Sequence, residues 1–173
     1  RTFTDKARFL ATQAREDTLH YEHKELGFNY RLSNLLAAVG VGQLNRIDAM
    51  VKKRIDIFKK YYNALSNIEG ISFMNEAPNS LCNRWLTTLT IDETIAGFNK
   101  DKVIEVLKKE NIESRPLWKP MHLQPLHSSS EYIKQGKDIS KKLFEQGLCL
   151  PSGSNLDDKE QDLIINIISS LAR

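Results

Sequence analysis

Apolar residues recur every three or four positions along parts of this chain and alternate along others, and the two periods predict most of its elements. Phe3, Ala7, Leu10, Ala11 and Ala14 fall on one stripe, so residues 3–16 read as a helix with Thr4 as candidate cap. Residues 17–32 break the period. Their two His, three aromatics, several charges and one Gly predict a loop or extended segment, the kind of region where function tends to sit. Ser33 is a good N-cap for a helix starting at Asn34. From Asn34 to Leu65 the pattern is helical almost throughout, with Met50, Val51, Ile55, Phe58, Tyr62 and Leu65 facing a core. Asp48 with Lys52 and Asp56 with Lys60 have favourable i,i+4 spacing. The small residues of AAVGVG, with Gly40 and Gly42, predict close approach by another helix or by a second subunit.

Beyond residue 66 the elements shorten. Asn67 to Gly70 is a turn, Ile71–Met74 a strand, and Arg84–Ile91 an alternating, β-branched strand. Asn99 caps a helix over 100–110, and Ile112–Arg115 is a third strand. Pro116, Pro120 and Pro125 make the next stretch an irregular loop. Ser140–Gln146 is a short helix ended by Gly147, and Leu148–Leu150 a short strand. Asp157 and Glu160 form a capping box for a last helix. This order predicts an α+β fold: a small, largely antiparallel sheet with helices packed on one face, plus a long N-terminal helix.

Composition narrows the class. At 173 residues the chain is about one domain long, and 40% hydrophobic with 27% charged residues is globular rather than disordered. No apolar run reaches the ~18–20 residues needed to span a bilayer. The N-terminus has no apolar signal core and no Met, which suggests a processed chain or a piece of a longer one. A net charge of +3 is too small for a nucleic-acid footprint unless clustered. The densest basic run, Lys52 to Lys60, alternates with acids and reads as a solvated helix face. Cys82 and Cys149 lie far apart, are no metal pair, and point to a reduced, cytoplasmic compartment.

Three places carry candidate chemistry. His20 and His23 flank Glu22, but HEXXH is absent and no further ligand pair completes a metal site; a polar active-site loop is the better reading. Gly27-Phe-Asn-Tyr-Arg31 ends just before a helix N-terminus, where free N–H groups and the dipole favour an anion. There Asn29 and Arg31 supply donors for a phosphate, or are merely structural. Trp118, Lys119, His122 and Gln124 lie in the Pro-rich loop and suit a sugar or nucleotide, unless the prolines only fix its path. Spacing nominates no catalytic Cys–His or Ser–His–Asp set.

Two blocks, KARFLATQARE…HYEHKELGFNYRLSNLLAAVGVGQLNRID and RPLWKPMHLQP…GLCLPSGSNL, closely resemble the DegT/DnrJ/EryC1/StrS family of pyridoxal-phosphate-dependent sugar aminotransferases. The branch looks like the one acting on UDP-linked 4-keto-6-deoxy amino sugars in bacterial glycan synthesis. Family members are about twice this length, so the resemblance implies the C-terminal part of a fold-type-I aminotransferase. Residues 1–32 would end the large cofactor domain, 33–66 form a connecting helix, and 67–173 make the small α+β domain. The family's Ser-x-x-Lys, which carries the Schiff-base lysine, is absent: no Ser here has Lys three positions on. Hence no catalytic residue is expected in this chain, and the fragment alone is expected to be inactive. By resemblance the parent takes pyridoxal phosphate as cofactor, glutamate as amino donor and a nucleotide sugar as acceptor. It is implied to be a homodimer with shared sites and no nucleic-acid or membrane partner. Asn29 would reach the cofactor phosphate of the partner subunit, Tyr30 and Arg31 would line the same rim, and Trp118, His122 and Gln124 would lie near the sugar nucleotide. The alternatives are a non-catalytic binding domain on the same fold, and a related dehydratase in which His replaces the lysine.

Overall fold

Helix α1 (Phe3–Ala11) starts from a reciprocal cap: the Thr2 hydroxyl accepts from the Asp5 N–H while the Asp5 carboxylate accepts from the Thr2 N–H. The cap is thus Thr2, not Thr4, and the helix stops well short of residue 16. The Thr12 hydroxyl turns back onto the Arg8 and Phe9 carbonyls, and Gln13 and Ala14 take left-handed backbone at φ 67° and 50°. The chain then returns alongside itself. The Phe28 N–H donates to Leu10 O at 2.7 Å, the Gln13 N–H to Phe28 O at 3.0 Å and the Tyr30 N–H to Ala11 O at 3.1 Å. Gly27 permits this approach, since a Cβ there would lie 2.1 Å from the Gln13 carbonyl carbon.

The computed structural model describes residues 2–172, in two compact units that meet in sequence at Ile47 and Asp48. The first ends with α2 (Asn34–Leu44), capped by Ser33 as the sequence predicts. The continuous helix predicted over 34–65 is in fact two. Asn45 and Arg46 form a turn, with the Arg46 N–H on Gln43 O, before α3 (Ile47–Leu65) begins. Asn is a weak helix former, and residues 40–45 also hold both glycines, so local propensity there is low.

The second unit is built on a four-stranded antiparallel sheet. Its strands are β1 (Ile71–Phe73), β2 (Thr87–Ile91), β3 (Arg115–Pro116) and β4 (Gly147–Leu150), in the order β1-β2-β4-β3. Period-two alternation splits its faces: Thr87, Leu89 and Ile91 are buried while Thr88 and Thr90 are not. The buried face packs on Ile57, Tyr61 and Leu65 of α3, one stripe at i, i+4, i+8, and not on the predicted stripe, of which only Leu65 is buried. Met50, Val51, Ile55 and Phe58 are half-buried and Tyr62 is exposed, because Phe58 and Tyr62 pack beside the core against Phe73. Val103 and Leu107 of α5 (Lys100–Lys109), with Ile164, Ile165 and Ile168 of α7 (Asp158–Ser169), complete that core. Of the polar groups drawn into it, the Thr87 hydroxyl finds no hydrogen-bond partner among the described residues, while two others are bonded. The Gln161 amide donates to Ile57 O at 2.7 Å, and the Tyr61 hydroxyl to Pro151 O at 3.1 Å, where burial pushes its pKa up. Asp56 pairs with Lys52 at 3.1 Å rather than with Lys60, whose ammonium goes to Asp162 of α7 at 2.7 Å.

Two strand bounds move and one short helix is added, for physical reasons. Strand β2 begins at Thr87 rather than residue 84, because Arg84 is left-handed at φ 49° and Trp85 turns outward. Strand β3 is only two residues long, and its Pro116 is tolerated at a sheet edge. A short helix α4 (Glu93–Ala96), capped by Asp92, fills the span after β2 where the sequence shows too few periodic residues to predict one. Gly70 is needed for both reasons a glycine can be: its φ is +86°, and a Cβ would lie 2.7 Å from the Ala96 nitrogen. Helix α6 (Ile139–Gln146) touches β2 and β4 and brings Leu143 to the side of Thr88 and Thr90, the face opposite the core.

Candidate functional site

Asn29, Tyr30 and Arg31 lie in the first unit, where the returning segment leaves α1 and heads for the Ser33 cap. Thr12 and Asn29 form an isolated antiparallel bridge, which fixes the backbone at Asn29. Its side-chain amide makes no hydrogen bond among the described residues, and Arg31 makes no ion pair there. The Tyr30 ring stacks on Phe28 at 5.2 Å and 19°. The segment therefore presents an amide and a guanidinium to the exterior from a braced backbone. His20 and His23 are turned to local duties: His20 Nε2 lies 3.2 Å from Glu22, and His23 Nδ1 2.9 Å from Gln13 O. No three His, Cys, Asp or Glu side chains among the described residues cluster to hold a metal.

Trp118, His122 and Gln124 lie in the second unit on the Pro-rich loop, and only the first is left facing out. His122 is mostly buried, its Nε2 2.8 Å from Asp138 Oδ2 and its ring stacked on Tyr132 at 3.7 Å and 4°. Asp138 is also the cap of α6. The Lys141 N–H foremost, then the Ser140 hydroxyl and the His122 ring, hold its carboxyl down at about 2. Gln124 donates across the loop to Lys119 O at 3.4 Å. His122 and Gln124 thus brace the loop that carries Trp118. The Trp118 indole is 65% exposed and meets Trp85, itself 59% exposed, at 6.0 Å and 31°.

The indole pair stands between two cavities on the open face of the sheet. One, about 460 Å³, is apolar and lined by Thr88, Thr90, Leu117 and Leu143 beside the indoles. The other, about 560 Å³, is lined by Ser114, Arg115, Cys149 and Ser152 beside the same two rings. Both fall within the range of small-molecule sites. Register aligns Thr88, Cys149 and Arg115 across β2, β4 and β3. Burial pushes the Cys149 thiol up, partly offset by the Arg115 charge.

Sequence reasoning missed Trp85, Arg115 and Asp138. Asp138 had a signal in its position before α6, where Asp is a strong N-cap. Trp85 had none, because an aromatic within an alternating strand reads as sheet packing.

Residues 2–169 match the model of the DegT/DnrJ/EryC1/StrS aminotransferase family. A Bacillus subtilis protein named for a pyridoxal phosphate-dependent aminotransferase, EpsN, is 47% identical over 169 residues, covering 96% of this chain and 43% of that protein. A GDP-perosamine synthase of Vibrio cholerae is 30% identical over 168 residues, covering 96% and 44%. The fold is shared with a solved DegT DnrJ EryC1 StrS aminotransferase from Brucella abortus, at a TM-score of 0.77 and 24% identity, covering 97% of this chain and 43% of that one. The chain spans less than half the length of these relatives.

Proposed function

Since the chain belongs to the DegT/DnrJ/EryC1/StrS aminotransferase family, we propose that it is the C-terminal part of a pyridoxal-phosphate-dependent sugar aminotransferase. The observation that carries this is the near-complete match to the family over 2–169, with a relative 47% identical along the same span. On this reading residues 1–32 close the cofactor domain, 33–66 connect, and 67–173 form the small domain. The parent takes an amino group from glutamate and gives it to a UDP-linked 4-keto-6-deoxy amino sugar, in bacterial glycan synthesis in the cytoplasm. Among the described residues, no helix is long and apolar enough to cross a membrane.

The residues of this chain fit the phosphate end of the cofactor. Among the described residues Asn29 offers an amide without a hydrogen bond and Arg31 a charge without an ion pair, and α2 begins just beyond Arg31 from its Ser33 cap. These groups bind and orient an anion without needing to titrate. The Tyr30 ring, backed by Phe28, walls the rim and excludes water on that side. When bound, pyridoxal phosphate supplies the electron sink that lets nitrogen move between amine and ketone. The lysine that holds it lies outside this chain, since no Ser-x-x-Lys occurs in it. On the acceptor side, Trp118 meets the nucleotide sugar while His122 and Gln124 keep its loop in place.

Borohydride reduction in the presence of pyridoxal phosphate tests the reading. The longer chain acquires one stoichiometric pyridoxyl-lysine, mapped outside these 173 residues, and releases 2-oxoglutarate when given glutamate and a nucleotide-linked keto sugar. The 173-residue chain acquires no site-specific label and is inactive. A single stoichiometric label within residues 1–173 overturns the assignment, and His at the upstream position redirects it to the dehydratase alternative.

A further inference from the structure

Trp85 and Trp118 form the largest solvent-facing aromatic surface of the second unit, and both are held rigidly. Arg84, directly before Trp85, is nearly buried. Its guanidinium lies 3.7 Å from the centroid of the Phe58 ring and donates to Met74 O at 3.2 Å, which sustains its left-handed backbone. The Trp85 N–H donates to Asn83 Oδ1 at 3.1 Å, and its carbonyl accepts from Arg54 at 3.1 Å. Trp118 rides on the loop pinned by the pairing of His122 with Asp138. Side chains packed only for stability would be covered, whereas these two are braced from behind and open in front.

The open front has two properties. The indoles, tilted by 31°, present one broad wall rather than a slot. Arg115 lines the same 560 Å³ cavity. Its ion pair is with Glu113, two residues away and equally exposed, so an incoming anion competes with a weak partner. A flat ring joined to negatively charged oxygens meets both properties in one molecule.

We propose that Trp85 is a substrate-binding residue: with Trp118 it forms the platform on which the base of a nucleoside diphosphate stacks, while Arg115 receives the phosphates. This rests on the nucleotide-sugar reading and assigns two residues, Trp85 and Arg115, that the reading lacks. Stacking of one base on an aromatic side chain is worth roughly tenfold or more in affinity.

The test is calorimetric titration of the longer chain with UDP, dTDP, GDP and inorganic pyrophosphate, with cofactor loading followed separately by absorbance. At least one of the three nucleotides binds the wild type. Trp85→Leu weakens that nucleotide about tenfold, and Trp85→Phe, which keeps a ring, stays within about threefold of wild type. Trp85→Leu leaves pyrophosphate, which has no base, unchanged, whereas Arg115→Ala weakens both ligands. Nucleotide affinity indifferent to Trp85→Leu, or equal losses for Trp85→Leu and Trp85→Phe, overturns the proposal and marks the patch as a contact for another part of the protein. A chain that loads cofactor but binds no nucleoside diphosphate refutes the platform and leaves the cofactor assignment standing. Trp85-dependent nucleotide binding without cofactor loading does the reverse.

Discussion

Gly147 has ordinary backbone but no room for a side chain. A Cβ there would lie 2.1 Å from Leu117 Cδ1 and 2.3 Å from the Leu143 carbonyl. Leu143 belongs to α6 and Leu117 leads into the loop of Trp118, so this contact seats both against β4. Gly147→Ala is expected to destabilise by about 1–3 kcal/mol through overpacking, read as a lower urea midpoint. A midpoint equal to wild type would show that Leu117 simply moves aside. Asp138 makes a second residue-scale case. Its carboxyl is held at about 2, below the ordinary 3.8, so its ionised form is favoured by folding. A depressed acid contributes stability that is complete above its ordinary value and disappears as pH falls through the folded value. The melting difference between wild type and Asp138→Asn is therefore expected to be full at about pH 5, to shrink below about 4 and to be mostly lost near 2. A difference that persists unchanged to about pH 2 would show that the carboxylate charge is not what braces the loop.

Helix α2 is the element that does not close on itself. Its sequence, NLLAAVGVGQL, is apolar on all sides, and none of its residues is buried. A helix of that character belongs in an interior, so it is proposed to lie at or near the subunit contact of the parent. A Cβ on Gly40 meets nothing within 4 Å in this chain. Gly40→Leu is therefore expected to leave this chain folded, with better helix propensity, while loosening the dimer of the longer chain in sedimentation at low concentration. Unchanged sedimentation argues against the contact. Elements were legible wherever one face is buried by neighbours within the chain: α5, α7 and β2 carry periods that the core imposes, whereas α3 was legible as a helix but not in its buried face, because Phe58 and Tyr62, set against Phe73, compete with the true stripe of Ile57, Tyr61 and Leu65. They were illegible where a non-local partner sets the boundary. Nothing near Ala11 announces that residues 28–30 will return to cap α1, and nothing local separates α2 from α3 except low propensity at Asn45. The open-face site was half legible for the same reason. Trp118 was visible from its Pro-rich context, whereas Trp85 reaches it only through the left-handed turn at Arg84.

At the scale of the whole molecule, the chain has two units, and the Asn29–Arg31 segment of the first leaves side chains that its own described residues do not engage. Asn29 sits on backbone fixed by the Thr12 bridge, yet its amide bonds to nothing among the described residues. A loop amide serving only its own loop would find a partner there, as His23 does with Gln13 O. The family resemblance implies that the matching residue reaches across a dimer, and the proposal is that Asn29 donates to the cofactor phosphate held by the partner subunit. Losing one hydrogen bond to a charged group costs about 1.5–3 kcal/mol, so Asn29→Ala in the longer chain is expected to weaken cofactor binding roughly ten- to a hundredfold. Mixed dimers decide whether the bond crosses the interface. One chain carries Asn29→Ala and the other lacks the upstream cofactor-holding lysine. If Asn29 acts in trans, both defects fall in one site, the other site is intact, and about half the wild-type activity remains. If it acts within its own chain, each site carries one defect and activity is low. Low activity in the mixed dimer, or cofactor affinity indifferent to Asn29→Ala, would remove Asn29 from the shared site.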